Sequence, residues 1–175
     1  RDQTIGAMMP RIVYPNGDAQ ELCKMVPAPY KLISRRFFPS RLSERGDAKF
    51  KMMDYNKDMT LWVPYLSGCF MALRMSTIME VGMFDERFFM YPEDIDLSRR
   101  IAEKYDTIYW PNVTAVHRHE QASRKSLTIF GIHVFNMCKY FNKWGWIFDT
   151  SRTRLNNKII ARNKEAIKKK VKHYV

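Results

Sequence analysis

The stretch Gly82–Arg99, GMFDERFFMYPEDIDLSR, decides how the chain is read. Pro92 suits the first turn of a helix, and Leu97, Ile101 and Tyr105 then fall four residues apart, so a helix with one buried stripe is expected from Pro92 to about Lys104. Its first turn gathers Glu93, Asp94 and Asp96. Carboxylates in that position can stabilise a helix N-terminus, act as general bases or ligate a metal, and the residues alone leave all three open. Upstream, Leu61–Leu73 (LWVPYLSGCFMAL) is apolar and reads as a buried strand with a close backbone approach at Gly68. Ser76 then caps a short helix that ends at Gly82. Downstream, Thr107–Tyr109 and Val113–Val116 read as two short extended pieces leading into His117-Arg118-His119. Alternating strands and helices on both sides of the acidic helix make the chain α/β.

Further out, TIGAMMPRIVYPNGDAQ reads as a strand with Pro10 at an edge or bulge, closed by a turn at Pro15-Asn16-Gly17-Asp18. Leu22–Asp58 contains Pro27, Pro29, Pro39 and Gly46 with no sustained period, and is expected to be a long surface loop. From Ser126 to Phe148 the pattern is helical, with Leu127, Phe130, Val134, Cys138 and Phe141 on one face and further apolar residues thickening it.

The 175 residues suffice for one domain with a real core, and the 46% hydrophobic share excludes a disordered tail. Lys and Arg number 30 against 18 Asp and Glu, a net charge of +12 that favours anionic partners. Most of the excess lies in the last 26 residues. The acidic segment and the lack of any nucleic-acid-binding motif argue against a nucleic acid. Cys23, Cys69 and Cys138 are too far apart for a CxxC pair, which argues against a disulfide framework or a cysteine zinc site and for a reducing compartment. The sequon at Asn112 is read as chance, and no run reaches the length of a membrane-spanning helix. Arg1 leads at once into an apolar stretch, so the chain is expected to be part of a larger protein.

The spaced order Ser67-Gly68, then Gly82, Phe84-Asp85-Glu86, Phe88-Phe89-Met90-Tyr91, Glu93-Asp94, Asp96-Leu97 and Arg99, then Pro111 and His117, resembles the C-terminal half of family 2 glycosyltransferases, particularly the rhamnosyltransferase-like bacterial members. The resemblance covers most of the chain and implies the acceptor-side half of a GT-A type mixed-sheet fold over residues 1–125. A basic amphipathic helical extension over residues 126–175 would follow it. It implies inverting transfer of a sugar from a nucleotide-sugar donor to a glycan or lipid-linked acceptor in surface polysaccharide synthesis. By match to the family's ED motif Asp94 is the base; Ser67 and Gly68 line the acceptor floor, Glu93 binds the acceptor or caps the helix, and Tyr91 stacks on a sugar. Asp85, Glu86 and Asp96 are placed as structural motif residues.

The same match makes His117, and more weakly His119, contacts to a divalent cation (Mg or Mn) or to the diphosphate in the full-length enzyme. A chain limited to these residues need not bind the cation. At a helix N-terminus Asp94 is expected with a lowered pKa, acting through position with late proton transfer. The family's Asp-x-Asp donor motif precedes this half, and Asp94-Ile95-Asp96, inside the ED helix, does not replace it. If the protein is this chain alone, little or no transfer is expected, and the alternative is a non-catalytic sugar-binding or scaffolding domain. The aromatic, basic end, with Tyr140, Phe141, Trp144 and Trp146, suits an anionic membrane surface, so the expected location is cytoplasmic, peripheral on the inner face.

Overall fold

The computed structural model describes residues 2–30, 48–118 and 126–172. Its centre is a pair of parallel strands, β1 (Ile5–Val13) and β4 (Asp106–Val116). Two short strands, β2 (Leu61–Trp62) and β3 (Ala72–Leu73), flank them antiparallel, giving a mixed sheet in the order β2-β4-β1-β3. The fold is α/β.

Pro10 has no N–H to give a ladder, and the register breaks there: Pro10 faces Trp110 while Arg11 faces Thr114. Pro111, Asn112 and Val113 bulge out, so the two expected extended pieces are one interrupted strand. The turn after β1 forms as expected, with Gly17 at φ +91° and Gly17 N–H donating to Tyr14 O at 2.9 Å.

Leu61–Leu73 is not one strand. Only its two ends pair with the sheet, and between them an irregular stretch buries Val63 and Leu66 completely. Apolar composition reported burial, while Pro64 and the Ser67-Gly68 turn prevented a continuous ladder. The loop expected from Leu22 to Asp58 also departs from a purely surface role: Cys23, Met25, Val26 and Met52 lie in the main core. Its residues 31–47 lie outside the described set.

Helix α1 (Met75–Val81) begins one residue before Ser76, with Arg74 at the cap position and no capping side chain, and ends at Gly82 with φ +87°. Helix α2 (Glu93–Lys104) follows Pro92, and Leu97 and Ile101 are fully buried on the expected stripe. Helix α3 (Leu127–Trp144) starts at Ser126, whose hydroxyl accepts from Ile129 N–H, and ends at Gly145. Its buried face is Asn136, Met137, Tyr140 and Phe141, whereas Leu127 and Val134 of the expected face are exposed. Helix α4 (Thr150–Lys172) places Leu155 and Ile159 in the core formed with the sheet. No helix among the described residues is long and apolar enough to cross a membrane.

Candidate functional site

The site is built where the Ser67-Gly68 turn meets the start of α2. Asp94 is buried, and its carboxylate is held from three sides. Oδ2 accepts from Gly68 N–H at 2.9 Å and from the Tyr65 hydroxyl at 3.3 Å, while Oδ1 accepts from Ile95 N–H at 2.8 Å. Two segments 26 residues apart in sequence, Gly68 and Asp94, are thus joined at one carboxylate. A methyl group placed on Gly68 would lie 3.4 Å from Asp94 Cβ and 3.5 Å from Oδ2, so the glycine packs directly against the carboxylate. Ser67, half-buried beside it, accepts Phe70 N–H at 3.3 Å to close the turn.

Burial raises Asp94 to about 6, against the opposing bonds from Gly68, Ile95 and Tyr65 and the nearby positive charge of Lys24. Lys24 Nζ stands 5.6 Å from the centre of the Tyr65 ring. The sequence predicted the reverse, a carboxylate lowered by the helix N-terminus. Desolvation outweighs both the backbone donors and the helix end, because the group is almost wholly removed from water. Glu93, half-buried, is raised to about 7, first by burial and further by the charge of Asp94. Its buried Oε2 has no hydrogen-bond partner among the described residues.

The loop leading into α2 is laid along α3. Asp85 takes a two-pronged pair from Arg87, with bonds of 2.8 and 2.6 Å, and Lys143 Nζ at 2.8 Å, which hold its carboxyl well below the usual range. Lys139 Nζ donates to Arg87 O, and Asn136 Nδ2 to Met90 O at 2.9 Å. Tyr91 meets the His133 ring edge-on at 4.4 Å between centroids and has φ +80°, an unfavourable conformation for a residue with a Cβ. Asp96 is fully buried and receives Lys143 at 2.7 Å, Trp144 Nε1 at 2.7 Å and Arg100 Nε at 2.9 Å. Lys143 therefore bridges Asp85 and Asp96 across the loop. Arg100 also donates to the carbonyls of Val81, Gly82 and Met83, fixing the entry to the loop. Glu86 is exposed.

His117 lies at the end of β4 against Gln20, whose Nε2 donates to His117 O at 2.5 Å. Its Nδ1 is 3.5 Å from Gln20 Oε1. His119 lies outside the described residues. Among the described residues no three His, Cys, Asp or Glu side chains gather into a set able to hold a metal ion. Tyr65, Lys143 and Arg100 were not anticipated as parts of this region. Nothing in their local sequence marks them; each matters through a contact that only folding creates.

No family model matches the chain. Over 80 residues it is 36% identical to the N-acetylglucosaminyl-diphospho-decaprenol L-rhamnosyltransferase of Mycobacterium tuberculosis, in strains CDC 1551 / Oshkosh and ATCC 25618 / H37Rv alike. The match spans 39% of this chain and 26% of the relative's length. Over that part of its length, the chain is related to a glycosyltransferase.

Proposed function

We propose that these residues form the acceptor side of an inverting glycosyltransferase, with Asp94 as the general base. One observation carries the reading: a buried carboxylate at a helix start whose Oδ2 is fixed by Gly68 N–H and Tyr65 while its Oδ1 accepts from Ile95 N–H. A sugar hydroxyl is a weak nucleophile, so attack on an anomeric carbon requires a base on the acceptor side. Raised to about 6, Asp94 is mostly ionised at neutral pH and yet more basic than an ordinary aspartate, which suits it to take a proton as the hydroxyl attacks. The three donors orient the carboxylate without filling every lone-pair direction.

In this reading Glu93 receives an acceptor hydroxyl at its unpaired Oε2, and Ser67, Gly68 and Tyr91 border the acceptor. Asp85, Glu86 and Asp96 shape the loop. The acceptor is a glycan or lipid-linked saccharide, in line with the lipid-linked acceptor in the relative's name, and the donor in this reading is a nucleotide-sugar. The match covers 26% of the relative's length, so the whole enzyme's activity is itself part of this proposal. A divalent cation at the donor diphosphate belongs to this reading, and among the described residues no ligand set for it assembles.

The test is Asp94→Asn in the native protein that contains these residues, assayed for transfer from nucleotide-activated rhamnose to a lipid-linked acceptor. A loss of about 10²- to 10⁴-fold in turnover with an unchanged circular dichroism spectrum is expected. Turnover within threefold or so of wild type would remove Asp94 from the chemistry.

A further inference from the structure

Tyr91 stands immediately before Pro92, three residues ahead of Asp94, and its backbone takes φ +80°. Two rules disfavour that conformation. A side chain with a Cβ is strained in the left-handed region, and a residue that precedes proline is pushed towards extended backbone. Glycine supplies such a bend without the strain, as Gly82 does at φ +87° and Gly145 at φ +102°. The chain uses glycine at those two bends and tyrosine at this one. The side chain, and not the bend, is therefore what this position requires. Core packing does not account for it, because Tyr91 is only half-buried, whereas Phe88 of the same loop is 5% exposed and packs with Tyr140 and Phe141.

What holds the strained residue comes from α3 on one side and α2 on the other. Asn136, buried, donates from Nδ2 to Met90 O at 2.9 Å, which fixes the peptide leading into Tyr91. Pro92 O accepts Asp96 N–H at 2.8 Å, which ties the residue after it into the first turn of α2. With the backbone held at both ends, the direction of the ring is what remains to be set. His133, three residues before Asn136 on the same face of α3, meets the ring at 4.4 Å between centroids with the planes at 90°. One helix face thus sets the backbone through Asn136 and the ring through His133.

We propose that His133 is a positioning residue for the acceptor: its ring holds the Tyr91 ring in the orientation in which Tyr91 stacks on an acceptor sugar. The inference rests on the acceptor-side reading of this site. His133 touches no substrate and takes no part in proton transfer. It spares the acceptor the ordering of a loose aromatic side chain, so its effect falls on acceptor affinity and not on the chemical step.

The experiment is steady-state kinetics of the native protein that contains these residues, with nucleotide-activated rhamnose and a lipid-linked saccharide, joined to thermal unfolding by circular dichroism. His133→Ala should raise the KM for acceptor about fivefold and leave kcat and the donor KM within about twofold of wild type. His133→Phe keeps a flat ring and should bring the acceptor KM back to within about twofold. Tyr91→Gly should raise the acceptor KM at least as much, and Tyr91→Gly/His133→Ala no further, since one residue acts through the other. Tyr91→Gly should also melt within about 3 °C of wild type or above it, because relief of the backbone offsets the lost ring contact. That measurement needs no substrate. An unchanged acceptor KM in His133→Ala, failure of His133→Phe to restore it, or additive effects in the double variant overturns the proposal. So does a larger fall in the melting temperature of Tyr91→Gly, because the ring would then serve the fold. Absence of transfer by the wild-type protein overturns the acceptor-side reading and this inference with it; where transfer occurs, Asp94→Asn decides the base and the acceptor KM of His133→Ala decides the positioning residue.

Discussion

Asp94 is expected to leave a signature in stability as well as in turnover. Its folded-state pKa of about 6 lies above the ordinary aspartate value, so its contribution to stability is fully present below about pH 4 and is lost as pH rises through about 6. Asp94→Asn removes that dependence. The stability of the variant relative to wild type should therefore rise by about 3 kcal/mol from pH 4 to pH 7.5, measured by urea unfolding at the two ends. Glu93 works in the same direction up to about pH 7. Gly68 poses a different question, since a methyl group there meets Asp94 at ordinary contact distance and clashes with nothing. Gly68→Ala should leave the melting temperature nearly unchanged while raising the KM for acceptor, a split that steady-state kinetics with the lipid-linked saccharide would reveal. The acidic helix start and the Ser67-Gly68 turn were visible in the sequence because each is a local pattern. Their meeting was not, and neither was the Tyr65 hydroxyl that completes the carboxylate's setting.

At the scale of elements, the loop from Asp85 to Tyr91 is stitched to α3 about once per helical turn, through Lys143, Lys139, Asn136 and His133. Asn136 is buried, and Asn136→Ala would leave Met90 O without its donor at a cost of about 1–3 kcal/mol. Thermal unfolding monitored by circular dichroism checks this. Gly6 marks a second junction. A Cβ on it would lie 2.7 Å from Tyr105 Cβ and 2.9 Å from side-chain methyls of Ile101 and Thr77, so the strand presses on α1 and α2 without room for a methyl. Gly6→Ala should cost roughly 1–3 kcal/mol by overpacking, read by the same measurement. Helix α2 was legible because its stripe is narrow and its start is marked by Pro92. In α3 nearly every side is apolar, so periodicity could not choose between faces, and the choice fell to the loop that lies on it. Strands of two residues such as β2 and β3 are too short to carry an alternation at all; tertiary pairing makes them.

Across the whole molecule, Arg99 ties three helices together. Its guanidinium donates to both oxygens of Asp149 at the head of α4, at 2.8 and 2.5 Å, and to the Tyr140 hydroxyl of α3 at 3.2 Å. It also stacks 3.9 Å from the centre of the Trp144 ring. Both charges are buried, so Arg99→Ala strands Asp149 and should cost about 3–5 kcal/mol in urea unfolding. The sequence offered Arg99 only as the last letter of a motif. Its partner lies 50 residues further on, where no local pattern could announce it. Helix α4 is equally a product of folding. Asn163 uses its amide to accept from Trp62 N–H at 3.0 Å and donate to Trp62 O at 2.9 Å; Asn156, two turns earlier, does the same to Val26 at 3.0 and 3.2 Å. Each asparagine imitates a neighbouring peptide group, and at Trp62 it occupies the outward-facing positions of the edge strand β2. A chain cut before Thr150 would present that edge bare to other molecules, and strand-to-strand polymerisation, followed by light scattering and thioflavin fluorescence, should replace a clear solution.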